Sequence, residues 1–109
     1  MSHDAVAPGP IFHIATPAAW STAELVGEID TPSLLTQGFV HCSTEAQLPA
    51  TIERHFAGHD ELVLLRLHGD AIAADLRWEE GAPGEDFPHV YRALRLEDVA
   101  EVRRWHRPP

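Results

Sequence analysis

Three short β-prone runs, Phe12-His13-Ile14, Gly38-Phe39-Val40-His41-Cys42-Ser43 and Phe87-Pro88-His89-Val90-Tyr91, each set a histidine among apolar residues. Apolar runs of this kind belong in an interior. An imidazole carried inside with them needs a hydrogen-bond partner or a ligand, because burying an unpartnered polar group is costly. Side chains alternate along a strand, so Phe39, His41 and Ser43 share one face, as do Phe87, His89 and Tyr91. His13 points away from whichever side Phe12 and Ile14 pack on, towards a cleft or towards solvent. Polar groups repeating on one face of buried strands either satisfy one another or meet a ligand.

The rest of the chain supplies strands and helices around these runs. Residues 11–15 read as a first strand. Thr16-Pro17 places a capping residue before a proline at the first helical position, and Gly27 supplies a stop, which predicts a helix over 18–26. A helical turn over 33–37 ends at Gly38. Thr44-Glu45-Ala46-Gln47 has the spacing of a capping box and opens a second helix that ends before Gly58, with its regular part starting at the box or at Pro49. Residues 61–67 form the strongest strand, apolar enough to be central. A helical turn over 70–74, a strand over 76–79, a turn or mobile loop over 81–86, a strand over 90–94, a turn over 96–99 and a last strand over 102–106 complete the reading. Two helices ahead of most strands suit a single α+β domain rather than a regular βαβ pattern. Residues 1–10, rich in Ala, Pro and Gly, read as a disordered leader, and 11–106 as the folded domain.

At 109 residues the chain is long enough for one domain with its own core. Its 17 acidic residues outnumber 8 basic ones, all of them Arg, for a net charge of -9. Polynucleotide binding runs on cationic patches, so a nucleic-acid partner is not expected, and neither is an anionic membrane surface. A small ligand or a basic protein fits the charge better, and the oligomeric state stays open. No apolar stretch approaches the ~20 residues of a membrane span, and the first ten residues lack the pattern of a secretory signal. A lone cysteine, Cys42, rules out an internal disulfide framework and leads us to expect a cytoplasmic protein.

His41 and Ser43 project in parallel rather than at each other, and no Gly-x-Ser-x-Gly elbow is present, so covalent serine catalysis is not expected. Cys42 reads as a small core residue rather than a nucleophile. His89 and Tyr91 suit the clamping of a flat polar ring, with a strand edge whose Tyr covers the core as the plain alternative. Eight histidines raise the question of a metal. No His-Glu-x-x-His pair appears, and the one His-x-x-x-His spacing, His55 to His59, is broken by Gly58, so that pair reads as a solvated helix end and no metal is expected. A site assembled from His13, His41 and His89, as in a metal-dependent hydrolase, stays open. Glu79, Glu80, Glu85 and Asp86 surround the 81–84 segment. A carboxylate there, Glu79 first, is placed to steady a developing cation of the glycosyl-transfer kind.

The strings Gly38-Phe39-Val40-His41-Cys42-Ser43 and Phe87-Pro88-His89-Val90-Tyr91, with Ile11 to Ile14, Ser33-Leu34, Gln47 and residues 60–67, resemble the DUF952 family of small bacterial proteins over nearly the whole chain. That resemblance implies a fold similar to ADP-ribosyltransferases, a split β-barrel with two early helices that grips NAD in a cleft. It implies roles for His13, with Ser43 and Tyr91, in holding NAD or a related nucleotide. It makes His13, His41, His89 and Glu79 the candidates for catalysis, as in a possible ADP-ribosyl transferase. The segment before the final strand holds His89 and Tyr91, with no Glu where such transferases keep their acid, so Glu79 or Glu85 would have to serve by folding back. A non-catalytic binding or accessory domain with a histidine-rich polar core is the alternative.

Overall fold

The computed structural model describes residues 9–109, so the expected leader lies outside the described residues except for Gly9 and Pro10, which adopt no regular structure. The two most apolar strands, β1 (Ile11–Ala15) and β4 (Glu61–Leu67), lie side by side in an antiparallel sheet. Strand β3 (Ser43–Thr44) flanks β1 and β7 (Val99–His106) flanks β4, giving the order β3-β1-β4-β7. Period-2 alternation sorts the central strands into two cores. Ile11, Ala15, Val63, Leu65 and Leu67 face one side, with Trp20 and Ala23 of helix α1 (Pro17–Val26). Phe12, Ile14, Leu62 and Leu64 face the other, against Leu48 and Ile52 of helix α3 (Leu48–His55). Coverage on both faces is why these strands read as nearly continuous apolar runs.

A second antiparallel sheet has the order β2-β6-β5, from β2 (Val40–His41), β5 (Leu76–Ala82) and β6 (Glu85–Val90). Val40 and Val90 close the first core together with Ile29, Ile72 and Leu94. The two sheets do not close into a barrel: β7 ends one and β5 the other. The architecture is a single α+β domain of two open sheets, with no closed barrel.

Local signals explain the helices. Thr16 Oγ1 accepts from the Ala19 N–H at 3.1 Å, and Gly27, at φ 87°, ends α1 in the left-handed region that glycine tolerates. Helix α2 (Pro32–Gln37) ends the same way at Gly38. Thr44 and Gln47 exchange the expected reciprocal bonds, 3.0 and 3.2 Å, yet they close a turn ahead of the helix. Regular helix starts at Leu48, where Pro49 falls in the first turn. A short helix α4 (Gly69–Ile72) and a 3₁₀ turn (Ala73–Asp75) lead into β5. No helix among the described residues is long and apolar enough to cross a membrane.

Residues 81–86 form the turn rather than a mobile loop: they are the end of a hairpin, with Glu80 paired to Asp86, Ala82 to Glu85 and Pro83-Gly84 at the turn. Gly84 has φ 75°, and its N–H donates to Glu80 Oε2 at 2.7 Å. Gly81, Pro83 and Gly84 are the turn signals, and the stretch is the open end of an edge strand. The strand placed at 90–94 instead ends at Val90. Beyond it Arg92 turns back to donate to both oxygens of the buried Asp98, at 2.7 and 3.0 Å, and to Asp75 at 3.1 Å. Asp98 also accepts from the Arg95 N–H at 2.8 Å. This network pins the 3₁₀ turn (Leu96–Asp98) beneath the second sheet's exit, and Arg92 holds the Asp98 carboxyl below its usual range.

Candidate functional site

Residues 40–44 pass from one sheet to the other. His41 pairs with His89 of β6, Cys42 N–H donates to Pro88 O at 3.0 Å, and Ser43 pairs with Phe12 of β1. Beside this crossing lies a cleft of about 510 Å³, walled by β1, the crossing strand, α3, the segment 29–33 and the hairpin residues Gly81, Phe87 and His89. Its volume falls within the ~300–1,000 Å³ typical of small-molecule sites.

Of the residues singled out from the sequence, His13, His41, Ser43 and His89 all line this cleft, and Glu79 and Tyr91 do not. His13 is buried, and its Nδ1–H donates to the His41 carbonyl at 2.9 Å, which leaves the lone pair on Nε2. Burial holds its pKa below 6.5, with the backbone bond acting in the opposite direction. His41 is exposed at the cleft edge and donates from Nε2 to Gln37 Oε1 at 2.7 Å. Its pKa is lowered by burial, then by the charges of His89 and His55. Ser43 is buried and reaches only Thr51 Oγ1, at 3.4 Å.

His89 is 3% exposed and stacks on Phe39, with ring centroids 4.0 Å apart at 18°. Its Nδ1–H donates to Glu79 Oε1 at 2.8 Å, and the Tyr91 hydroxyl donates to the same oxygen at 2.6 Å. Glu79 thus sits behind the histidine, where the phenol first and the imidazole second pull its pKa down. This fixes the ring and its tautomer. His89 Nε2 is buried with no hydrogen-bond partner. Such an orphan is rare in a native interior and calls for a physical reason.

Other cleft residues escaped the sequence reading. Thr31, 8% exposed, has an Oγ1 with no partner. Thr51, Arg54 and His55 present one face of α3 to the cleft. Their i, i+3, i+4 spacing, which sets them on one helix face, was the available signal. Asp30 is the cleft's one carboxylate among the described residues, and Glu85 is instead taken by Gln47 Nε2 at 3.1 Å. Cys42 is buried and its thiol is pushed up to about 12, which suits a core residue rather than a nucleophile. Among the described residues no three His, Cys, Asp or Glu side chains converge as metal ligands.

Comparison with known proteins places this geometry in a family. No curated protein matches the chain. The crystal structure of protein CC0527 from Caulobacter crescentus is similar, with 32% identity and a TM-score of 0.79 over 87% of this chain and 84% of that one. The solution NMR structure of CC0527 is similar as well, at 33% identity and a TM-score of 0.74 over 86% of this chain and 82% of that one. The model of a protein family of unknown function, DUF952, matches residues 14–102, and the chain belongs to that family.

Proposed function

We propose that the cleft binds a small molecule of the nucleotide class, NAD or a relative of it, through a hydrogen-bonding ring held near His13, His41, Ser43 and His89. The observation that carries this reading is the His89 imidazole. Its ring is locked from behind by Glu79 and Tyr91, while Nε2 stays unpartnered in the wall of a ligand-sized cleft. A ligand N–H or O–H meeting Nε2 removes that cost. Thr31 Oγ1 offers a second unfilled position. The ADP-ribosyltransferase likeness implied by the sequence resemblance supports a nicotinamide nucleotide in particular.

Binding without ribosyl transfer is the better reading. Transfer needs a carboxylate beside the sugar to steady the oxocarbenium ion. Glu79 commits Oε1 to His89 and Tyr91 and stands outside the cleft lining. The protein is then a binding domain rather than a transferase. An NMR titration of the untagged chain with NAD, ADP-ribose and nicotinamide tests it. Saturable shifts are expected at His13, His41 and His89, with affinity for NAD falling roughly tenfold in His89→Ala. No shifts at millimolar ligand would overturn the proposal.

A further inference from the structure

We infer that the mouth of the cleft is an anion subsite in which Arg54 and His55 take the phosphoryl group of the nucleotide-class ligand proposed above, whose identity rests on that reading. The charge ledger around Arg54 is the first support. Arg66, Arg92, Arg103 and Arg107 each pair with carboxylates, at 3.1, 2.7, 3.1 and 2.8 Å for the closest contacts. Arg54, Arg77, Arg95 and Arg104 pair with none among the described residues, and of these four only Arg54 lines the cleft.

Nor is Arg54 occupied in capping its own helix. The carbonyls of Phe56 and His59, beyond the end of α3, accept from Arg107 at 2.9 and 3.0 Å. Arg54 and His55 are both exposed and both line the cleft, where Asp30 is the only opposing carboxylate among the described residues. His55 and His41 both line this same cleft.

The chemistry matches a phosphoryl group. A guanidinium presents parallel N–H donors to two oxygens of a phosphate, and a neighbouring imidazole serves a third. Thr31 Oγ1 adds an uncommitted hydroxyl in the same cleft. The chain's net charge of -9 keeps anions off most of the surface, which makes a local cationic mouth selective for where an anion settles.

The test is a low-salt titration of the untagged 109-residue chain with inorganic pyrophosphate, followed at the Arg54 side-chain N–H and the His55 ring by NMR. Saturable shifts at both are expected. Affinity should fall roughly tenfold or more in Arg54→Ala, the loss of a charge-assisted contact. It should hold in Arg104→Ala, which removes an exposed arginine of β7 outside the cleft. Non-saturating shifts, unchanged affinity in Arg54→Ala, or equal loss in Arg104→Ala would overturn the subsite. Parallel titrations with adenosine and nicotinamide, which carry no phosphate, separate the two proposals. Pyrophosphate binding at Arg54 without any response to these two leaves the subsite standing and removes the nucleotide reading. The reverse pattern removes the subsite alone.

Discussion

His41 and His89 stand directly opposite each other across the β2–β6 ladder, with ring centroids 5.3 Å apart and planes at 82°. Protonating one raises the cost of protonating the other. Burial is the first cause of the lowered His41 pKa, and the charge of His89 is the second. In His89→Gln the second cause is gone, so the His41 midpoint should move up towards 6.5. A ring-proton pH titration reads this directly, and an unmoved midpoint would mean that burial and His55 account for the shift without His89.

His13 should make stability depend on pH. Burial lowers its pKa in the folded protein below 6.5, whereas the unfolded chain takes up the proton near 6.5. Its contribution is therefore complete above that pH and is lost as the pH falls from 6.5 towards the lowered folded value. Urea denaturation at pH 7.5 and 5.5 should show a smaller pH dependence for His13→Gln than for the native chain. At pH 7.5, His13→Ala should cost about 1–3 kcal/mol, because the His41 carbonyl loses its donor in a buried setting.

Gly81 is a packing constraint rather than a turn residue. A Cβ there would lie 2.7 Å from Phe87 Cδ1 and 3.2 Å from Cγ. Gly81→Ala should cost about 1–3 kcal/mol by overpacking. The loss should shrink when Phe87 is replaced by Leu, as a double-mutant cycle in urea would show. Equal losses in both backgrounds would mean that the hairpin backbone yields instead. Both residues line the cleft, so Gly81→Ala should also weaken NAD binding.

Asp98 is 3% exposed and holds three hydrogen bonds from Arg92 and Arg95. Asp98→Asn keeps its shape but removes the charge, and we expect a loss of about 2–4 kcal/mol. Its folded pKa is depressed below 3.8, so its contribution is present above that value and disappears as the pH falls through the lower folded one. Acid unfolding curves of the variant should be flatter in that range than those of the native chain.

Strand identity and the helix ends were legible because they depend on neighbours in sequence: the 61–67 run, the Thr16-Pro17 start, the Gly27 and Gly38 stops. Alternation and apolar context, which are local properties, single out His13, His41, Ser43, His89 and Tyr91, and only the tertiary arrangement brings the first four to one cleft and leaves Tyr91 outside its lining. Glu79 was named as a carboxylate near the site, but its direction depends on the β5–β6 register, which sets Trp78 against Pro88 and Glu79 against Phe87. That register is a tertiary fact. Arg92 reads as a strand residue until its reach across to Asp98 is known. His55 reads as a solvated helix end because only the placement of α3 against the crossing strand turns it, with Arg54, to the cleft.

Residues 40–44 belong to both sheets at once, and this sets the mechanics of the cleft. Parting the sheets would strip the ladder bonds of Val40 and His41 on one side or those of Ser43 and Thr44 on the other. Breathing of one sheet is therefore felt by the other. Amide hydrogens on β1 and β6 should exchange with solvent in step, as parts of one opening unit.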